Sequence, residues 1–218
     1  MNPEQFLKEF NTFINAPNGI QQLREYIWHL AVNGALSLGE FSDKSSAVND
    51  FNSLIESREN NDLKVTKWVE DNESSFSTKC PNSWVSCHLG EVVSIRTGHA
   101  FKSADYVSSG ERILRVTNIN TDGSFNFSNV KFFNREKIDK KIANYYLEAG
   151  EVIVVMVGGS LGKSSLIIDE ILPSLLNQNM WRLKPYSEKL LPEFLYLTIK
   201  DLNNNRLEIT PSTHGHLK

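Results

Sequence analysis

The sequence predicts an α+β protein: a helical N-terminal segment over residues 1–78, followed by a strand-rich α+β domain over residues 79–210. Three observations carry this prediction. Apolar residues recur at helical spacing in the first third of the chain. After Pro81 the texture changes to short runs of β-branched residues separated by turn signals. The charge balance changes at the same place: residues 1–78 hold 6 Lys/Arg against 12 Asp/Glu, while residues 79–218 hold 17 against 14 and four of the five histidines. An acidic helical part joined to a mildly basic β part implies two different surfaces within a chain whose net charge is only −3.

The elements follow in order. Asn2, Pro3 and Gln5 form a helix start, with Asn as cap and Pro at the first helical position, and Phe6, Phe10, Phe13 and Ile14 share one face. Pro17, Asn18 and Gly19 break that helix. A second helix is expected over 20–33, with Ile20, Leu23, Ile27, Leu30 and Ala31 on one stripe and Gly34 as its stop. A third periodic segment carries Val48, Phe51, Leu54 and Ile55, and the polar stretch 56–79 reads as a linker. In the β part, strands are expected over 84–96, 112–119, 124–133, 152–157, 164–168 and 179–183, with Asn120, Thr121, Asp122 and Gly123 making a tight turn. The run 152–157 is apolar throughout, the pattern of a strand buried on both faces. Residues 134–146 read as a short charged helix or loop, and helical spacing returns over 191–202.

Several function classes are disfavoured at this level. No run approaches the roughly 18 uncharged apolar residues of a membrane span, and the N-terminus lacks a secretory pattern, so a cytoplasmic protein with no membrane partner is expected. Cys80 and Cys87 do not have a zinc-knuckle spacing, and His214 and His216 lack an acidic or cysteine companion, so no metal is expected. The segment 152–165 imitates a phosphate-binding loop, with Gly162, Lys163 and Ser164 in register, but Val157 stands where the first glycine belongs. The apolar run after it starts too soon for an intervening helix. A glycine-rich hairpin between two strands is the simpler reading. No nucleophile elbow and no adenine-methyltransferase signature is present, so neither a catalytic residue nor a cofactor is expected.

Two stretches carry a resemblance. The stretch Leu23, Arg24, Glu25, Tyr26, Ile27, Trp28, His29, Leu30, Ala31, Val32, Asn33, Gly34, Ala35, Leu36 is similar to a helix that recurs in type I restriction–modification specificity subunits. Pro81, Asn82, Ser83 and Trp84, with Leu89, Gly90, Glu91, Thr97 and Gly98 downstream, resemble the opening of one of their target recognition domains. The pattern continues through Arg115 to Ile119, Leu147 to Ile153, the 158–164 turn and Leu176 to Asn179. The resemblance implies a non-catalytic subunit that reads one half of a bipartite double-stranded DNA target. Its helices would dock methyltransferase (M) subunits, and a restriction (R) subunit would complete the complex. Such subunits carry two recognition domains and two helical spacers, so residues 211–218 are expected to begin a spacer helix. The chain is then a part of a longer product or a half-subunit that pairs with itself and reads a symmetric site.

Base reading needs polar side chains on loops, and phosphate binding needs cations. The candidates lie at strand ends and turns of the basic part: Thr97, Gly98, His99 and Lys102; Arg115, Thr117 and Asn118, the last with an amide suited to adenine; Ser160 and Lys163; Gln178 and Asn179; and Thr213, His214 and Gly215. Two other classes stand beside this reading: a protein-interaction scaffold, and a degenerate nucleotide-binding enzyme at Lys163 and Ser164.

Overall fold

The structure, a computed structural model, describes residues 8–10, 12, 14–36, 44–60 and 83–205. Among the described residues, helices α1 (Gly19–Val32) and α2 (Lys44–Asn60) precede a domain of eight strands and three further α-helices. The expected α+β class, helical first and strand-rich after, is the observed one. The expected helix start at Asn2 and Pro3, the anchors Phe6 and Phe13, residues 61–79 of the expected linker, and residues 211–218 lie outside the described residues. Residues 56–60 of that linker belong to α2 instead, whose apolar face keeps Leu54 buried.

The β domain holds two four-stranded sheets. The strands are β1 (Val93–Thr97), β2 (Tyr106–Val107), β3 (Glu111–Leu114), β4 (Lys131–Phe133), β5 (Val152–Val155), β6 (Ser164–Leu166), β7 (Ser174–Leu176) and β8 (Met180–Pro185). One sheet runs β1-β8-β5-β6 and is antiparallel throughout; the other runs β2-β4-β3-β7, with β3 and β7 parallel. Short helices α3 (Leu89–Val92) and α4 (Lys140–Ala143) and the longer α5 (Pro192–Asn205) complete the domain.

Alternation along the central strands explains the layering. On β5, Ile153 and Val155 join Leu114, Leu176, Met180 and Ile167 in a core between the two sheets. Val152 and Val154 point the other way and meet Val93, Leu183, Leu195 and Ile199, the last two from α5. All four β5 residues are therefore buried, as the apolar run predicts. Fully burying a side chain of this size contributes roughly 1.5–3 kcal/mol, which makes β5 the strand both cores share. The outer face of the second sheet, through Ile113, Phe133 and Leu175, packs with Phe101 and the 138–146 segment. On the far side of α5 lies α1, held by His29 Nδ1 donating to Asp201 Oδ1 at 2.8 Å and by the Lys200 ammonium 4.6 Å over the Trp28 ring.

The strands are shorter than the sequence pattern suggests, for identifiable reasons. Of the expected strand 84–96, only Val93 onward pairs. Glu91 turns back to accept the His88 backbone N–H at 2.6 Å and caps the helical turn α3 instead. The strand expected over 112–119 stops at Leu114, because the Asn118 side chain draws the chain into a 3-10 turn, Val116–Asn118. Only Lys131–Phe133 of the expected 124–133 strand pairs as a strand, apart from a single bridge between Ile119 and Phe125. The 134–146 segment folds as a 3-10 turn (Arg135–Lys137) followed by α4, capped where Asp139 Oδ1 accepts the Ile142 N–H. Gly123 takes φ +93, as the expected turn requires.

Cys87 lies in the extended segment before α3. Burial, and secondly the nearby Glu91 carboxylate, raise its thiol pKa to about 11. At pH 8 it is then almost wholly protonated. With Cys80 replaced by serine, the folded chain should react with iodoacetamide roughly a hundredfold more slowly than free cysteine. Reaction at the free-cysteine rate in a folded sample would show Cys87 to be exposed.

Candidate functional site

Four segments far apart in sequence are drawn together by backbone hydrogen bonds where β1, β3, β5 and β7 end. Gly98 N donates to Met180 O (3.1 Å) and His99 N to Leu176 O (2.9 Å). Gln178 N donates to His99 O (2.8 Å), Asn177 N to Leu114 O (3.0 Å) and Met156 N to Asn179 O (2.9 Å). The loops after β1, β3, β5 and β7 thereby become one surface. It carries Thr97, Gly98, His99, Arg115, Thr117, Gln178 and Asn179, with Asn118 beneath it and Ser160 and Lys163 in the adjoining hairpin. Lys102 follows Phe101, whose N–H also donates to His99 O (3.1 Å). Eleven of the fourteen expected residues are brought to this end of the domain. Thr213, His214 and Gly215 lie outside the described residues.

The individual roles differ. Thr97, Lys102, Thr117, Gln178 and Asn179 are exposed. His99 is half-buried, its ring 4.8 Å from that of Phe101 and 4.9 Å from that of Tyr145. Gly98 is a glycine because of close approach: a Cβ there would lie 1.9 Å from the Asn177 carbonyl oxygen. Arg115 extends over Tyr106, 6.0 Å from the ring centroid, and its Nη1 has no hydrogen-bond partner among the described residues. The neighbouring Asn177 Oδ1 likewise has none.

Asn118 is a correction to the sequence reading. It is 1% exposed, its Oδ1 accepts the Arg115 N–H at 3.0 Å, and its Nδ2 donates to Asn126 O at 2.9 Å. Both ends of the amide serve the backbone, so no edge is left to offer a base. The residue shapes the surface from beneath rather than forming part of it.

The glycine-rich segment is the hairpin that the sequence reading preferred. β5 and β6 pair antiparallel, Val154 opposite Ser164, around a Gly158–Ser160 3-10 turn. Gly158 (φ +83) and Gly162 (φ +80) supply the left-handed conformations of the turn. A phosphate-binding loop would instead feed a helix. The Lys163 ammonium donates to Ile119 O at 3.3 Å, which holds it beside the Val116–Asn118 turn.

The segments at this end carry cations and no carboxylates. Elsewhere five cations are matched, Arg135 with Glu111, Lys137 with Asp105, Arg182 with Glu151, Lys184 with Glu148 and Lys189 with Asp50, while Arg112, Lys131, Lys140 and Lys141 are in no ion pair among the described residues. No ion pair among the described residues involves Lys102, Arg115 or Lys163. The segments 97–102, 113–119, 156–164 and 177–181 contain no Asp or Glu at all. An uncompensated cationic surface of this kind attracts a polyanion. Sequence reasoning missed this because it summed charge over the whole domain; reading the charge of the strand-end loops alone reveals it.

Residues 81–217 match the family described as Type I restriction modification DNA specificity domain. The chain is 25% identical to the Type I restriction enzyme EcoAI specificity subunit of Escherichia coli over 202 residues, covering 88% of this chain and 34% of that protein. It is 27% identical to the Type I restriction enzyme MjaVIII specificity subunit of Methanocaldococcus jannaschii, covering 60% and 32%. The chain thus spans about a third of the length of these curated relatives. Among solved structures, the S subunit of a type I restriction-modification system from M. genitalium aligns at 17% identity and TM-score 0.38, over 82% of this chain and 42% of that one.

The buried role of Asn118 has a measurable consequence. Asn118→Ala leaves the Arg115 N–H and the Asn126 carbonyl short of partners, and should cost about 1–3 kcal/mol of folding stability. Thr117→Ala, one residue away and exposed, should change stability by no more than about 0.5 kcal/mol. Urea denaturation of the two variants beside the parent chain measures both, and equal midpoints for all three would remove the structural role given to Asn118.

Proposed function

The chain belongs to the family of type I restriction modification DNA specificity domains, and on that premise we propose that it is a DNA-reading specificity module. It binds double-stranded DNA through the surface where β1, β3, β5 and β7 end, and reads one half of a split target. Adenine methylation and restriction are then carried out by partner M and R subunits docked on its helical part. The observation that carries this reading is the charge of the strand-end surface: Lys102, Arg115 and Lys163 are without ion-pair partners among the described residues, in segments (97–102, 113–119 and 156–164) that hold no acidic residue.

The division of labour within that surface follows from chemistry. Lys102, exposed on a flexible stem, suits a phosphate. Arg115 carries a planar donor fork whose Nη1 is buried without an acceptor among the described residues; turned outward on binding, that fork would match the O6 and N7 of guanine. Gln178 is exposed and carries an amide that matches adenine. Thr97 and Thr117 offer hydroxyls to either groove contact. Asn118 stands behind Arg115 and sets its backbone angle.

Binding of this kind must weaken with salt, because each phosphate contact releases a counterion. For the full chain in complex with a type I methyltransferase subunit from the same genome, log affinity for duplex DNA should fall linearly with log salt. Lys102→Ala should lower that slope by about one without changing sequence preference, whereas Arg115→Ala should relax preference at one base position. Methylation mapping on genomic DNA should return one recurring motif. Salt-independent binding, or a stable complex that modifies no motif, would sink the reading and favour a protein-binding scaffold.

A further inference from the structure

α5 presents three polar side chains at helical spacing, Tyr196, Lys200 and Asn203, and all three end on backbone carbonyls of β-domain loops. Tyr196 Oη donates to Asp122 O at 3.4 Å, and Lys200 Nζ donates to the same carbonyl at 2.9 Å. Asn203 Nδ2 donates to Gly162 O at 2.6 Å, across 41 residues of chain. Positions i, i+4 and i+7 share one face of a helix. Leu195, Ile199 and Leu202 repeat the same spacing one residue away and pack into the core beneath the sheet. One helix therefore has an apolar ridge that anchors it and a polar ridge that holds loops.

The two loops so held are the ones that flank the cationic surface. Gly162 is in the left-handed region (φ +80), so this corner of the hairpin has no side chain of its own with which to fix itself, and its carbonyl is held from α5. Ser165 Oγ donates to Gly123 O at 2.6 Å and Lys163 Nζ to Ile119 O at 3.3 Å, which ties the hairpin to the 119–123 turn. Within that turn, the Ser124 hydroxyl and N–H both donate to Asp122 Oδ1 (2.7 and 2.8 Å). Lys200 is half-buried, its ammonium 4.6 Å over Trp28 and 5.6 Å over Tyr196 as well as bonded to the Asp122 carbonyl.

We propose that Tyr196, Lys200 and Asn203 are positioning residues for DNA binding: together they fix the 119–123 turn and the 158–163 hairpin, and through them the place of the Lys163 ammonium on the cationic surface. None of the three touches DNA. The proposal rests on the DNA-reading function above and adds residues from outside the surface to it. It also gives a reason for a half-buried lysine whose hydrogen-bond partner is a carbonyl rather than a carboxylate.

The test uses the full chain carrying Asn203→Asp, which keeps the side-chain size but replaces the donor facing Gly162 O with an acceptor. Hydrogen exchange at the Leu161, Gly162 and Lys163 amides should speed up at least tenfold while the β8 amides hold their parent rates. DNA titrations across a salt series should show the slope reduced by about one, as for Lys163→Ala, and the double variant should lose no more than Lys163→Ala alone. A merely structural role would lower the melting temperature and the bound fraction but leave the slope at its parent value. Unchanged exchange at 161–163 overturns the positioning role whatever the DNA result. Accelerated exchange in a chain whose parent form binds no DNA at any salt overturns it as well, and locates the failure in the DNA reading. If Asn203→Asp does not fold, Lys200→Met with exchange read at residues 120–123 decides by the same criteria.

Discussion

The burial of β5 on both faces is the constraint from which the rest of the domain follows. Val152 and Val154 need an apolar partner on one side, and Ile153 and Val155 need one on the other. A strand of this kind cannot sit in a single solvated sheet. The second sheet covers one face and α5 covers the other, so the number of layers is set by four residues. Because β5 is antiparallel to both β6 and β8, its carboxyl end meets the start of each. That meeting point is where the 158–163 hairpin and the 177–179 turn emerge, and the β1 and β3 ends are bonded to the latter. The position of the cationic surface is thus a consequence of core packing.

Polar groups are distributed around that core with a consistent logic. Arg182 is 8% exposed beside Glu151, 3.6 Å away, and donates to the Tyr146 and Asn144 carbonyls. Burial pushes the Glu151 carboxyl above the usual carboxylate range, although the arginine opposes this. The Lys184 ammonium instead holds Glu148 below that range through its hydrogen bond. These matched charges lie along the strands, where their fields cancel over short distances. Lys102, Arg115 and Lys163, in no ion pair among the described residues, lie at the strand ends. A domain with nearly balanced charge can in this way present a local positive field to a polyanion, which also explains why summed composition understates it.

Much of the fold is legible in the residues. The β5 run, the 120–123 turn, the glycine hairpin and the α5 stripe all depend on local pattern, and each is found where the pattern puts it. The misplaced boundaries share one cause. Glu91 and Asn118 are side chains that compete for backbone hydrogen bonds, and whether such a side chain wins depends on neighbours supplied by the fold. Asn118 misleads for the same reason: an asparagine at a strand end is chemically suited to a base, but Asn126, folded back from the following loop, takes one side of the amide. Gly98 reads in sequence as one of the DNA-reading loop candidates, whereas the Asn177 carbonyl against its Cα is what demands a glycine there.

The sequence by itself determined the α+β class, the order of helical and strand-rich parts, the strand buried on both faces, and the family resemblance, because these depend on periodicity and on residues close together in the chain. It also placed eleven of the candidate residues on loops that the fold brings to one end. Only the tertiary structure decided which of them face outward, which cations are already matched, and that α5 reaches across to hold the Gly162 and Asp122 carbonyls. Those outcomes depend on contacts between residues 24 to 139 positions apart, and a chemical pattern along the chain carries no information about partners that only folding brings within hydrogen-bond reach.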